Sequence, residues 1–137
     1  MKHTTNYVNT FVEIADDSPN ERGEMPPVKP DKKTVASLHF DMVYGNPYKY
    51  TSDDVIFGVF ALRKEFEKNE IEEQREHYFS KGQACFRASP LTKQYGWGVH
   101  ANAEGKIAIY GAETEEYKKF MADDSVKKVK AMRSKRS

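Results

Sequence analysis

The sequence predicts an α+β fold, in which a small antiparallel sheet packs against three to four helices. The expected strands are an N-terminal strand and a hairpin near residues 95–112. Two patterns predict this class: β-branched residues alternate in residues 7–15, and apolar residues recur at helical spacing in several segments between residues 31 and 122. One strand and one hairpin among these helices exclude a doubly wound parallel sheet, which needs strands and helices in regular alternation.

The charged residues divide the chain into two parts. Overall, 22 Lys and Arg residues stand against 21 Asp and Glu residues. Residues 125–137 hold six basic and no acidic side chains, which leaves 16 basic and 21 acidic residues in residues 1–124. We therefore predict one globular domain over residues 1–124 and a basic C-terminal tail over residues 125–137. Aromatic residues make up 12% of the chain and supply apolar area for a folded core.

Cysteine usage and hydropathy predict the compartment. The chain has one cysteine, Cys85, and no apolar run near the roughly 20 residues of a membrane span. The N-terminal sequence MKHTTNYVNT lacks the apolar region of a signal peptide. These features predict a cytoplasmic protein without a disulfide and without a membrane partner.

The first half of the chain contains the N-terminal strand, a loop and a helix. Residues 7–15 form the strand, and residues 16–33 form a long surface loop because they contain four prolines. The apolar residues of segment 31–46 fit both a helix and a strand. We predict a helix, because Asp31 can cap its start, Asn46-Pro47 can end it, and about 14 residues is long for a strand.

Three further helices are expected. One begins at Thr51 or Ser52, and Gly58 within it predicts a close approach by another backbone. The next spans about residues 70–81 and ends at Gly82, and a short one spans about residues 115–122. Loop 46–50 is expected to pack its two tyrosines across the helices that it joins. The residues expected to face inward on the first and last of these helices are Val55, Val59, Leu62, Phe66, Tyr117, Phe120 and Met121.

Two registers are open to the hairpin. A two-residue turn at Ala103 and Glu104 would mix large and small side chains on each face. A turn closed by Gly105 in the left-handed conformation pairs Asn102 with Lys106 and sorts the faces, so we predict this register. Its apolar face, anchored by Trp97, holds Tyr95, Trp97, Val99, Ala101, Ile107 and Ile109. Its other face holds Gly96, Gly98, His100, Ala108 and Tyr110.

The small-residue face of the hairpin and the turn before it predict an anion site. Arg87 offers a bidentate fork, Lys93 a point charge, and His100 a proton near neutral pH. With Ser89, these residues are the predicted binding site for a small anionic ligand or an acidic protein partner. The alternative is that the glycines admit a packed helix while Arg87 and Lys93 stay solvated.

His100 is also the candidate acid or base of a small enzyme, with Cys85 or Tyr110 as its partner. The four histidines show no metal-ligand spacing, and the acidic pairs are adjacent residues that point to different helix faces. The chain also lacks a glycine-rich phosphate loop and a Gly-x-Ser-x-Gly motif. We therefore expect neither a metal nor a cofactor.

The basic tail supplies a third hypothesis, weak nucleic-acid binding through counterion release. The same cations can instead fold back onto the acidic part of the chain. The tail cations are Lys127, Lys128, Lys130, Arg133, Lys135 and Arg136.

Six segments, taken in chain order, carry a family resemblance. They are HTTNYVNTFVEIA, PPVKPDKKTVA, NPYKYTSDDVIF, SKGQACFRASPLTKQYGWGVH, GKIAIYG and VKAMRSKR. On these motifs the chain resembles a small bacterial family, domain-of-unknown-function family 6157, over nearly its whole length. The resemblance implies a single bacterial domain and brings no activity, cofactor or catalytic residue with it. The leading hypothesis from the residues is therefore a non-enzymatic binding domain.

Overall fold

The structure is a computed structural model that describes residues 3–27 and 34–133. Within these ranges the strands are β1 (Thr10–Glu13), β2 (Trp97–Ala101), β3 (Ile107–Gly111) and β4 (Lys127–Lys130). The α-helices are α1 (Val35–Tyr44), α2 (Ser52–Lys64), α3 (Ile71–Tyr78), α4 (Pro90–Lys93) and α5 (Glu115–Ala122). The α+β class with a small sheet is confirmed. The described part of the chain contains no helix whose length and hydrophobicity would let it span a lipid bilayer.

The sheet is mixed rather than antiparallel, with the strand order β3-β2-β1-β4. Strand β1 pairs antiparallel with β2 and parallel with β4, so that Thr10 lies opposite Lys127. Residues 127–130 thus belong to the sheet, although their composition predicts a tail outside the domain. Because three of the four residues of β4 are lysines, the segment lacks the alternation of apolar and polar residues that predicts a strand. Lysines suit an edge strand, where they discourage pairing with another chain.

The hairpin of β2 and β3 has the predicted register. The Asn102 N–H donates to the Lys106 carbonyl at 2.9 Å, and Gly105 has φ of +79°. Val99 consequently lies opposite Ile109. Because register decides which face each side chain occupies, the apolar face of the hairpin enters the main core as expected.

Helices α1, α2 and α4 cover this apolar face. Trp97 is buried there, with its ring centroid 5.4 Å from both Phe40 and Tyr44. Its Nε1–H donates to the Glu24 carbonyl at 2.8 Å, which ties the proline-rich loop to the sheet. Trp97 is therefore the anchor that the sequence predicts.

Helix α5 covers part of the opposite face of the sheet. Phe11 of β1 is fully buried there, edge-on to Tyr117 at 4.9 Å and stacked on Phe120 at 5.1 Å. Both Phe11 and Tyr117 lie against Gly98, where a Cβ would be 2.5 Å from the Phe11 ring. The small-residue face of the hairpin therefore packs against helix α5, as the alternative interpretation of its glycines predicts.

The helix starts follow capping rules. Thr34 caps α1 by accepting the Ser37 N–H, whereas the expected cap, Asp31, lies outside the described residues. Thr51, one of the two residues predicted to start α2, caps it and forms a capping box with Asp54. Helix α5 spans the predicted residues, and Thr114 caps it.

The predictions that Leu62 and Met121 face inward are wrong. Leu62 is 60% exposed and Met121 is 38% exposed. Helix α2 is buried on two sides, toward the main core and toward α3, so its buried residues do not form a single stripe, and the prediction for Leu62 fails for this reason.

Two other local predictions are also wrong. The closest approach to Gly58 is the Met42 side chain, at 3.1 Å from an added Cβ, and not a backbone. Helix α3 ends at Tyr78 with Phe79 as its C-cap, before the predicted Gly82.

Candidate ligand-binding cleft

A cleft of about 470 Å³ opens between α1, α2 and segment 84–90. Apolar walls come from Val35, Ile56, Val59, Phe60 and Ala88. Polar side chains that line it are His39, Ser89, Cys85, Arg63 and Lys64. Ligand sites in proteins share this composition, a mostly apolar wall with few polar groups.

Helical spacing places these walls. Val35 and His39 are four residues apart on α1, so their side chains share one face. On α2, Ile56, Val59 and Phe60 are separated by three and four residues and share the face opposite. Arg63 continues the same face one turn later. The cleft is thus built from two helix faces of regular spacing.

His39 lies deep in the cleft and is only 6% exposed. Its Nδ1 is 3.0 Å from Ser89 Oγ, which also accepts the Leu91 N–H at the start of α4. Burial lowers the pKa of His39 to about 4, so the ring is neutral at pH 7. Among the described residues Nε2 has no hydrogen-bond partner, and it is not sealed from solvent. It is therefore free to meet a ligand in the cleft.

The pKa of His39 makes stability depend on pH. Unfolded histidine binds a proton below about pH 6.5, whereas folded His39 does so only below about pH 4. As the pH falls between these values, the unfolded state gains protons and the folded state loses stability. From pH 7 to pH 5 we expect the free energy of unfolding to fall by about 2 kcal/mol more in the unmodified chain than in His39→Gln.

Urea unfolding at several pH values measures this difference. The control is His77→Gln, which makes the same substitution at an exposed histidine of α3. If the free energy of unfolding fell equally with pH in His39→Gln and in the unmodified chain, the result would refute a buried, neutral His39.

Cys85 borders the same cleft as a free, partly buried thiol. Its Sγ is 3.2 Å from Tyr7 Oη. Burial, with help from this contact, raises the pKa of Tyr7 to about 12, so the phenol stays protonated. The histidine that shares a cavity with Cys85 is therefore His39, whereas the pair considered from sequence is Cys85 with His100.

Two cations border the cleft. Arg63 and Lys64 are exposed at the end of α2, and neither has a salt bridge within residues 3–27 and 34–133. Lys64 Nζ lies 5.8 Å from the centroid of the Phe60 ring. An anionic group at this end of the cleft would meet the positive charges of both side chains.

The four predicted ligand-binding residues do not form one surface. Ser89 is buried beside His39 on the side of the sheet that α1 and α4 cover. His100 lies on the opposite face, beside α5. Arg87 Nε donates to the Lys130 carbonyl at 2.6 Å, and Lys93 ends α4. The sheet therefore separates His100 from Ser89.

His100 belongs to a small aromatic cluster instead. Its Nδ1 is 2.8 Å from Tyr48 Oη, which is 2.9 Å from Tyr110 Oη. The imidazole stacks on Phe120 at 4.1 Å, and burial lowers the pKa of His100. Tyr110 thus reaches His100 through Tyr48, a residue that the sequence places against helices rather than in a candidate site.

The tail cations that the structure describes partly fold back onto the acidic part of the chain. Lys130 Nζ is 2.6 Å from Asp16 Oδ1, and Lys128 Nζ donates to the Asp123 carbonyl. Lys127 and Arg133 are exposed. Lys135 and Arg136 lie outside the described residues.

Sequence reasoning missed His39 as a site residue. The available signal was a polar residue on the apolar stripe of α1, beside Leu38 and four residues after Val35. Buried polar side chains need a partner, and here the partner is Ser89, 50 positions away. Across residues 3–27 and 34–133, no three His, Cys, Asp or Glu side chains converge as a metal centre would need.

Comparison with known proteins identifies a family. The sequence model of a family of unknown function (DUF6157) matches residues 2–137. The chain belongs to this family. The resemblance seen in the six sequence segments is therefore confirmed. No curated protein and no solved structure matches the chain. The family description gives no activity, so a function has to be argued from the cleft.

Proposed function

We propose that this domain binds a small amphipathic carboxylate in the cleft between α1 and α2. The apolar part of the ligand packs against Ile56, Val59 and Phe60, and its carboxylate contacts Arg63 and Lys64. One observation carries the proposal: an apolar cleft of about 470 Å³ has at one end two cations that form no salt bridge with any residue of 3–27 or 34–133.

The size of the cleft supports a small molecule. Pockets for small ligands occupy about 300–1,000 Å³ and are lined mainly by apolar side chains. A chain of about ten carbons fits such a volume. Burial of its methylene groups supplies most of the affinity, at about 0.8 kcal/mol per CH₂.

The charges support an anion rather than a cation. His39 is neutral at pH 7, so it repels no charged ligand and offers Nε2 as a polar contact inside the cleft. Arg63 provides a planar fork that suits a carboxylate, and Lys64 adds a second positive charge. Both are exposed, so the carboxylate keeps part of its hydration, and each contact contributes modestly.

The proposal keeps one sequence hypothesis and changes its location. It retains a small anionic ligand and a non-enzymatic role, and it retains Ser89, through its bond to His39. It replaces Arg87, Lys93 and His100 with Arg63, Lys64 and His39. The free thiol of Cys85 supports the predicted cytoplasmic location, since reducing compartments keep thiols free.

Calorimetric titration with decanoate and decan-1-ol tests the proposal. We expect the unmodified domain to bind both, with decanoate the tighter ligand. The double variant Arg63→Gln and Lys64→Gln should weaken decanoate about tenfold, which corresponds to about 1.4 kcal/mol, and leave decan-1-ol unchanged. Ala84→Phe, at an exposed position of the cleft wall, should weaken both ligands by filling the space.

A matched variant controls for net charge. Lys119→Gln with Lys127→Gln removes the same charge from exposed positions on α5 and β4, away from the cleft. Equal weakening of decanoate by both double variants would show a general charge effect and reject the proposed carboxylate contacts. Absence of any binding by either ligand would reject the cleft as a ligand site.

A further inference from the structure

A second groove runs along the outer edge of β3 and shares no lining residue with the cleft. It has a volume of about 610 Å³. On one side of the sheet it is lined by Tyr44, Trp97 and the Glu113 carboxylate, and on the other by Tyr110 and Glu116. We call it the edge groove, and the proposal made for it does not depend on the cleft.

The floor of the edge groove carries unpaired backbone groups. The Ile107 N–H donates to the Tyr50 carbonyl, and the Tyr48 N–H donates to the Ile107 carbonyl, both at 2.8 Å. These bonds show that Ile107 turns its backbone groups outward, and strand geometry repeats every two residues, so Ile109 and Gly111 do the same. Within the described residues, the N–H and carbonyl of Ile109 and the N–H of Gly111 have no partner.

The two edges of the sheet differ in protection. Strand β4 carries three lysines, a composition that discourages pairing with another chain. Strand β3 has the sequence IAIYG, with no charge and no proline. Segment 48–51 covers its first part, and Gly23 and the Glu113 carboxylate lie against one face of Gly111 at its end. An uncharged edge with free donors and acceptors is a template for an added strand.

The walls of the edge groove indicate which strand fits. Tyr44 is 57% exposed and stacks against Phe40, which leaves an aromatic surface on the core side. Glu116 is exposed on the other side. The Glu113 carboxylate lies on the Trp97 side, where it accepts the Gly23 N–H, and this bond lowers the pKa of Glu113. Alternate side chains of an added strand point to opposite sides, one set to Tyr44 and the other to Glu116.

We propose that the edge groove binds an extended peptide of a partner protein, in which apolar and basic residues alternate, as a fifth strand beside β3. The peptide backbone pairs with Ile109 and Gly111. Its apolar side chains pack on Tyr44 and Trp97, and its basic side chains face Glu116 on the Tyr110 side.

The test uses a synthetic, end-capped hexapeptide of alternating valine and lysine. Trp97 is the single tryptophan of the chain and lines the groove, so its fluorescence reports binding. We expect saturable binding by the hexapeptide and at least tenfold weaker binding by a version with N-methylated valine amides. The Ile109 amide should exchange hydrogen more slowly in the complex than in the free domain.

A matched pair of variants separates local from general charge effects. Glu116→Lys changes an exposed residue in the first turn of α5, and Glu72→Lys makes the same change in the first turn of α3. We expect at least tenfold weaker binding for E116K and unchanged binding for E72K. Equal losses in both variants, or equal binding of the N-methylated peptide, would overturn the proposal. Concentration-dependent dimerisation that protects the Ile109 amide without peptide would assign the groove to a second copy and overturn it as well.

Discussion

Replacing Phe11 with alanine is expected to lower the free energy of unfolding by about 3–5 kcal/mol. The Phe11 side chain is fully buried on the face of the sheet that α5 covers. It is the common contact of Tyr117 and Phe120, so its loss leaves a void between β1 and α5. The backbone of Gly98 lies beneath the same ring and offers no side chain to fill that void.

Urea unfolding followed by circular dichroism measures this loss. The control is Val8→Ala, two residues before β1, because Val8 is 58% exposed and its truncation should change stability by less than about 0.5 kcal/mol. A loss below about 1 kcal/mol for Phe11→Ala would mean that α5 does not pack on the sheet as described.

Replacing Gly96 with alanine is expected to cost about 3 kcal/mol, for two separate reasons. Gly96 has φ of +76°, a conformation that costs a residue with a Cβ about 1–2 kcal/mol. The added Cβ would also lie 2.2 Å from the Arg22 carbonyl oxygen and 2.7 Å from its carbon. Both are backbone atoms, so a side-chain rotation cannot relieve the overlap.

The loop that contains Arg22 is held in place near Gly96. The Glu24 N–H donates to the Tyr95 carbonyl at 2.8 Å, and Asn20 Nδ2 donates to the Gln94 carbonyl at 2.6 Å. Moving the loop away from an alanine at position 96 would break these bonds or the bond from Trp97 to Glu24. The overlap therefore costs stability rather than relaxing.

Gly45→Ala is the matched control for Gly96→Ala. Gly45 has φ of −83°, and nothing lies within 4 Å of an added Cβ. Alanine there should leave the stability unchanged or raise it by about 0.4–1 kcal/mol, because it restricts the unfolded chain. Thermal unfolding of both variants gives the comparison, and equal melting temperatures would contradict the close approach of Arg22.

Elements defined by local chemistry could be predicted from the sequence. The register of the hairpin followed from sorting its faces, and Gly105 supplied the left-handed turn residue that this register needs. The start of α2 near Thr51 and Ser52 and the extent of α5 followed from capping residues and spacing. Each of these inferences depends on residues within one short segment, so no tertiary contact was needed.

Strand β4 could not be predicted in this way. Its place in the sheet depends on pairing between Thr10 and Lys127, which lie at opposite ends of the described chain. A four-residue segment with three lysines has almost no apolar pattern of its own. The periodicity of apolar residues along the chain does not predict pairing between strands so far apart in sequence.

The candidate site shows the same division. Sequence reasoning drew attention to Ser89 and Cys85, both of which line the cleft, but joined them to His100 rather than His39. His100 is only 11 residues after Ser89, yet it lies across the sheet, because alternate residues of β2 point to opposite faces. Proximity along the chain therefore does not predict which histidine lies beside Ser89, and the packing of α1 against α4 places His39 there.

The central position of β1 also bears on how the chain folds. The β2–β3 hairpin joins residues close in sequence, so it can form early, whereas the two neighbours of β1 come from distant parts of the chain. During synthesis β1 leaves the ribosome first among the strands, but it gains its parallel partner only after residues 127–130 have been made. One side of β1 is therefore an open edge until residues 127–130 have been made, and the addition of β4 replaces it with an edge that three lysines protect from pairing.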